Sequence, residues 1–378
     1  MPNLSVIQIA LDRAVTDGVF PGAVLAVRCG DRPVSRFHAG HLSTVPPGSL
    51  VSTSTVYDLA SLTKPLATVT ALVLLTQAGS CRLEDRVADH LSECADAFIG
   101  SATIRHLLTH SSGLPAWRGF YEQLSQDGTI PSSAGERAQA KRTMLSLIQS
   151  EAPVYERGTR SLYSDLGFML LGLIVERISR QSMNDYFLDH IVRPLGGPRI
   201  GFILPEQHCI PSNSVDDDTG GVAPTEVDRW RGYLLCGEVH DQNAAALGGE
   251  AGHAGLFGTA DAVLAISGEW VRAYHGRTTI LDQAMVQEFT RRQKPEGPSS
   301  WALGWDTPSV PSSAGRHLAA QSFGHLGYTG TSLWIDPVQE LEIVLLSNRV
   351  HPSSRNEAIR EFRPAIHDLV YQEFIGSI

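Results

Sequence analysis

Hydrophobic positions in the first quarter of the chain change period twice. Leu4, Ile7, Leu11 and Val15 recur at helical spacing and predict an amphipathic helix ending near Gly18. Gly22 to Arg28 reads as a strand, Gly30-Asp31 as a turn, and Pro33 to Ala39 as the hairpin partner. A polar loop rich in Ser, Thr and Pro covers 40–55. From Pro65 to Leu75 the chain is apolar nearly all round, which predicts a buried helix ended by Gly79. Proline is tolerated in a helix only in the first turn, so Pro65 sets the start near Ser61.

From about 82 to 295 the pattern is mainly helical, broken by long Gly/Pro loops. The clear helices are Ile104–Thr109, Ala138–Ser150, Leu166–Ser179 and Met183–Ile191. Residues 205–250, with Asp216-Asp217-Asp218 and several glycines, read as a long loop that is functional or covers a site. The β pattern then returns at Leu303–Asp306, Ser322–His325, Thr331–Asp336 and Leu341–Ser347, the last so apolar that a central position is expected. Residues 355–375 form a final amphipathic helix. Strands at both ends with helices between predict an α/β (α+β) fold. Its sheet domain is built from 1–60 and 296–378, and a mainly helical domain, 61–295, is inserted in it.

Charge and composition narrow the function classes. Thirty Lys and Arg against forty Asp and Glu give a net charge of -10, and no basic run occurs, so nucleic acid is not an expected partner. The longest apolar runs, such as Phe168 to Val175, are too short to span a bilayer. The N-terminus has neither a basic n-region nor an apolar h-region. This predicts a cytoplasmic protein, or a periplasmic one if a signal has been removed. Five scattered cysteines (29, 81, 94, 209 and 236) read as reduced thiols, and no Cys/His cluster has zinc spacing, so no metal or cofactor is expected.

Only three lysines occur, at 64, 141 and 294; elsewhere the chain uses arginine for its cations. One lies in Ser61-Leu62-Thr63-Lys64, where helical spacing puts hydroxyl and amine on one face. Arginine cannot be deprotonated at working pH, whereas a desolvated lysine can act as a general base on a serine nucleophile. Tyr163-Ser164-Asp165 opens the helix from Leu166. Asp165 reads as an N-cap, and Tyr163 at this junction is a candidate proton shuttle if an ammonium lies beside it. His325 closes a predicted edge strand, followed by Gly327, which would let a substrate backbone approach closely. His253 lies in the glycine-dense stretch 248–257, read either as a flexible cleft wall or as a structural turn.

In this order and spacing, Ser61-x-x-Lys64, Tyr163-x-Asp165 and His325-x-Gly327 resemble the class C β-lactamase and penicillin-binding-protein superfamily of serine hydrolases. The stretches Leu107 to Pro115 and Gly255 to Ala260 resemble it too, and the likeness covers about 5 to 375. The resemblance implies a β-lactamase/transpeptidase-like fold: an antiparallel sheet flanked by terminal helices, with an inserted all-helical domain. It implies Ser61 as the acylated nucleophile, Lys64 and Tyr163 exchanging protons with it, and the backbone N–H groups of Ser61 and Tyr328 as oxyanion hole. Two departures stand out. Tyr-x-Asn is here Tyr163-x-Asp165, and Lys-Thr-Gly is here His325-Leu326-Gly327. Both weaken the anchoring of a substrate carboxylate, for which Arg349 is a substitute candidate. The expected substrate is a small ester or peptide-like molecule. An esterase-type hydrolase is favoured, a D-amino-acid peptidase or weak β-lactam-binding enzyme is the alternative, and a non-catalytic binding module is the third reading.

Overall fold

The computed structural model describes residues 4–376 except 45–47, 126, 206–220, 278, 295, 296 and 298. Asp216-Asp217-Asp218 and Cys209 lie outside the described residues. The strands are β1 (Gly22–Cys29), β2 (Ser35–Gly40), β3 (Tyr57–Asp58), β4 (Ile200–Phe202), β5 (Leu256–Gly258), β6 (Phe323–Leu326), β7 (Ser332–Asp336) and β8 (Leu341–Ser347). Five of them form an antiparallel sheet in the order β2-β1-β8-β7-β6, and the other three a small sheet, β3-β5-β4. The fold is thus a mixed α/β arrangement built on an antiparallel sheet, with β8 central as its apolar run requires.

Period-two alternation decides what covers each face of the large sheet. Ala23, Leu25 and Val27 of β1 and Leu341, Ile343 and Leu345 of β8 point one way. They pack on the apolar stripes of the two terminal helices, α1 (Leu4–Thr16) through Ile7 and Leu11, and the C-terminal helix (Ile359–Phe374) through Ile366, Val370 and Phe374. Val24, Ala26, Val344 and Leu346 point the other way and join the larger core. Both faces of this sheet are therefore covered by apolar side chains.

The helices between the terminal pair are α2 (Thr70–Gln77), α3 (Val87–His90), α4 (Ile104–Leu108), α5 (Tyr121–Leu124), α6 (Ala134–Gln149), α7 (Asp165–Ser179), α8 (Met183–Phe187), α9 (Gln242–Ala246), α10 (Ala260–Tyr274) and α11 (Gln283–Thr290), making the C-terminal helix α12. α10 packs against β1 and β8, while α7 is buried among α2, α4 and α8. No helix among the described residues is long and apolar enough to cross a membrane.

Several boundaries differ from the sequence reading. α6 begins at Ala134, not Ala138, because Ser133 and Glu136 cap each other's backbone N–H groups, a polar signal outside the apolar period. α7 is capped by Ser164, whose hydroxyl accepts from the Gly167 N–H, so Asp165 is the first helical residue and not the cap. Leu303–Asp306 is not a strand. Gly304, at φ +80°, turns the chain so that the Ala302 N–H meets the Trp305 carbonyl at 2.8 Å. Only single bridges, from Asp306 to Trp301 and Gly324, remain there.

Candidate active site

The segment carrying Ser61 is not a plain helix start. Ala60 sits at φ +48°, a conformation that costs an alanine on the order of 1–2 kcal/mol. Its N–H is held by Asp58 Oδ1 at 2.8 Å, and Asp58 Oδ2 accepts the His240 N–H at 2.6 Å. A 3₁₀ turn, Ala60–Leu62, leads into a wide π-type stretch, Lys64–Val69, and then α2. Pro65 is tolerated in the first turn of that stretch, having no N–H to place. Such stretches cluster at functional sites, and here one aims Ser61 and Lys64 together.

Lys64 is wholly buried, and three oxygens surround its amine. Nζ lies 3.0 Å from Ser61 Oγ, 2.9 Å from the His253 carbonyl and 2.7 Å from Asp165 Oδ1. The Asp165 contact lies off the line of a directed hydrogen bond and is a charge pair. Burial pulls the amine's pKa down, but the Asp165 charge, with the hydrogen-bonding phenol of Tyr163 behind it, outweighs burial and holds it above the usual lysine value. A desolvated, readily deprotonated lysine is therefore not the resting state.

Tyr163 donates its phenol to Ser61 Oγ at 2.8 Å. Burial pushes that phenol up to about 12, against a lesser downward pull from Lys64, so it rests protonated and the neighbouring ammonium does not produce a phenolate. Ser61 Oγ thus accepts from both Lys64 and Tyr163.

His110 holds Tyr163 in place, a role outside the sequence reading. Its Nδ1 accepts the Ser164 N–H at 3.1 Å, its carbonyl accepts the Leu162 N–H at 2.8 Å, and its ring lies 4.7 Å from the Tyr163 ring. Burial, then the Lys64 charge, keeps this histidine far below its ordinary pKa. The signal was in hand, since His110 falls inside Leu107 to Pro115. Its function depends on a left-handed backbone (φ +55°) that no periodicity reveals.

The turn after β6 is pinned to the residues ahead of Ser61. Thr329 Oγ1 donates to the Asp58 carbonyl at 2.7 Å and Thr331 Oγ1 to the Leu59 carbonyl at 3.1 Å. A Cβ on Gly327 would lie 2.7 Å from the Leu59 oxygen and collide with Thr331, so the glycine is required by the close approach of the protein's own backbone. Neither the Ser61 nor the Tyr328 N–H donates to a backbone carbonyl among the described residues.

Arg349 is engaged with its own surroundings through Nε and Nη1. Nε donates to the Tyr328 carbonyl and Nη1 to the Ser354 and Asn356 carbonyls, each at 2.8 Å, and the guanidinium lies over the Tyr328 ring. His325 donates Nδ1–H to the Leu326 carbonyl at 2.8 Å, and burial, then Lys64, lowers it to about 3, so it carries no charge. His253 is not a flexible cleft wall. Its ring is buried on Asp241 at 2.8 Å, and it reaches the site through its carbonyl. Gly252 makes that possible, because its Cα lies so close to Gly172 of α7 that a side chain there would strike the helix backbone.

An amine and a phenol converging on one serine hydroxyl are groups that can carry its proton. Residues 10–365 match the family model described as Beta-lactamase. The chain belongs to the β-lactamase family. It is 33% identical over 321 residues to a protein of Escherichia coli (strain K12) named "Putative D-alanyl-D-alanine carboxypeptidase", covering 79% of this chain and 70% of that one. It is 30% identical over 365 residues to the "N-acetylmuramyl-L-alanine amidase" of Bacillus subtilis (strain 168), covering 90% and 80%. Among solved structures it resembles EstCE1, a hydrolase with promiscuous acyltransferase activity, with TM-score 0.73 at 22% identity over 97% of this chain and 98% of that one. The octameric penicillin-binding protein homologue from Pyrococcus abyssi superposes at TM-score 0.72 and 20% identity, over 99% and 78%. At these identities the two structures establish the fold. At the end of β6, His325-Leu326-Gly327 offers neither a cation nor a hydroxyl.

Proposed function

We propose that this protein is a serine hydrolase that cleaves a small carboxylic ester, or a related amide, through an acyl-enzyme on Ser61. The observation that carries the reading is the convergence of Lys64 Nζ and Tyr163 Oη on Ser61 Oγ at 3.0 and 2.8 Å. In its deprotonated form Lys64 takes the Ser61 proton as Oγ bonds to the substrate carbonyl carbon. The oxyanion is held by the N–H groups of Ser61 and Tyr328, and Tyr163 relays the proton to the leaving oxygen or nitrogen. Water then releases the acid by the reverse route. The active site lies where the sheet unit, 1–60 and 296–378, meets the helical unit, 61–295.

Substrate class follows from charge. A carboxylate-bearing substrate would meet the anionic Asp165, a neutral His325 and an Arg349 committed to its own loop. This favours uncharged esters, while Gly327 only makes room for the turn. The relatives named carboxypeptidase and amidase favour a second reading, a peptide-like substrate cleaved by the same residues.

The test is hydrolysis of short-chain p-nitrophenyl esters, D-alanyl-D-alanine peptides and a penicillin by wild type and Ser61→Ala. Ester turnover abolished in the variant, with dipeptides turned over at least tenfold more slowly, supports the first reading. The reverse preference supports the second. Turnover surviving in Ser61→Ala sinks both.

A further inference from the structure

Resting on the assignment of Ser61 as nucleophile, we propose that Asp165 is a positioning residue that keeps Lys64 an ammonium in the resting site. Ser61 then becomes nucleophilic only after the Lys64–Asp165 pair releases a proton to solvent.

The carboxylate set against the buried amine carries the argument. Lys64 is fully buried, donates to the His253 carbonyl and Ser61 Oγ at 2.9 and 3.0 Å, and has the Asp165 carboxylate 2.7 Å from Nζ. A neutral amine could accept the Ser61 hydroxyl hydrogen, but an opposite charge this close in a desolvated site favours the ammonium over that state. Ser61 Oγ already receives hydrogens from Lys64 and Tyr163, so its own hydrogen has no base beside it. Loss of one proton from the pair changes this. Lys64 then turns its lone pair to Ser61 while still donating to the His253 carbonyl and staying beside Asp165. In the acylation step the Ser61 O–H bond breaks, the proton goes to Nζ, Oγ bonds to the carbonyl carbon, and the carbonyl electron pair moves onto oxygen.

The other groups facing Lys64 do not supply that charge. Tyr163 is a protonated phenol, and His110 and His325 are neutral rings. Asp241 lies behind the His253 ring and is bound to it. Asp165 is the one carboxylate among the described residues in direct contact with the amine. Asparagine at this position would keep the shape of the side chain and remove the charge.

The experiment follows phosphonylation of Ser61 by a fluorophosphonate across pH 5–10, which reads the nucleophile without substrate recognition. In wild type the labelling rate rises with pH along an acid limb. In Asp165→Asn and Asp165→Ser the limb moves to lower pH, and labelling below the wild-type limb is faster by about tenfold or more. Asp165→Glu, which keeps the charge, leaves the limb near its wild-type position. A limb that stays put while the rate falls in both charge-removing variants would make Asp165 merely structural and overturn the proposal. An adduct anywhere but Ser61 overturns the hydrolase reading, and this proposal with it.

Discussion

Replacing Gly327 by alanine tests whether the turn after β6 aligns the oxyanion donors. The new Cβ would stand 2.7 Å from the Leu59 carbonyl oxygen and 3.3 Å from Thr331 Cβ, and would collide with Thr331 Oγ1. Thr331 Oγ1 is itself bonded to that carbonyl at 3.1 Å, so moving the hydroxyl away loses a hydrogen bond worth about 1 kcal/mol without freeing the carbonyl. The Leu59 oxygen belongs to backbone two residues before Ser61 and cannot rotate aside. Relief requires residues 327–331 to move away from Leu59, at an overpacking cost of roughly 1–3 kcal/mol. That movement carries the Tyr328 N–H away from the Ser61 N–H. Losing one oxyanion donor costs about 2.7–4 kcal/mol, or roughly 10²–10³ in kcat. The expected outcome on a p-nitrophenyl ester is therefore a kcat about a hundredfold lower, with KM little changed and a cooperative unfolding transition retained at lower temperature. A folded Gly327→Ala variant with kcat within threefold of wild type would refute the reasoning.

Three further outcomes are expected. Lys64→Arg should cut kcat by about 10³-fold, because arginine keeps its proton and the base is lost; stopped-flow ester hydrolysis checks this, and near-wild-type rates would remove Lys64 from proton transfer. Arg349→Ala should strip the donors from the carbonyls of Tyr328, Ser354 and Asn356, lowering kcat and stability together. A rise in KM confined to carboxylate-bearing substrates would instead make Arg349 the anchor that its position in the sequence suggests. Stability should fall on acidification from about pH 6.5 to about pH 4, where the unfolded chain protonates histidines that the native state keeps neutral. Burial lowers His325 to about 3 and His367 to about 4 from an ordinary 6.5, so the unfolded chain binds more protons across this window and stability rises with pH. Urea unfolding midpoints that are equal at pH 4.5 and 7 would contradict this.

What was legible in the sequence divides along physical lines. Ser61 and Lys64 are legible because a spacing of three residues brings them together on one turn, and β8 because an unbroken apolar run has to be central. The Lys64–Asp165 pair was not legible. It depends on α7 delivering its first turn to a helix about a hundred residues earlier in the chain, and the residue read as a cap is a charge partner instead. Nor does the chain pattern show what Arg349 and Gly327 touch within the protein, where one holds the Tyr328 turn and the other makes room for it. Chain pattern shows which residue types are present. Only tertiary packing decides whether a polar group is already occupied, and His253 illustrates this, with its ring committed to Asp241 and its carbonyl serving the amine.

The most direct measurement is to quench p-nitrophenyl butyrate hydrolysis in acid within the first turnover and map the covalent adduct by peptide mass spectrometry. The account predicts one butyryl group, carried on Ser61 and absent from Ser61→Ala. A butyryl group on another residue, or full turnover by Ser61→Ala, would contradict it.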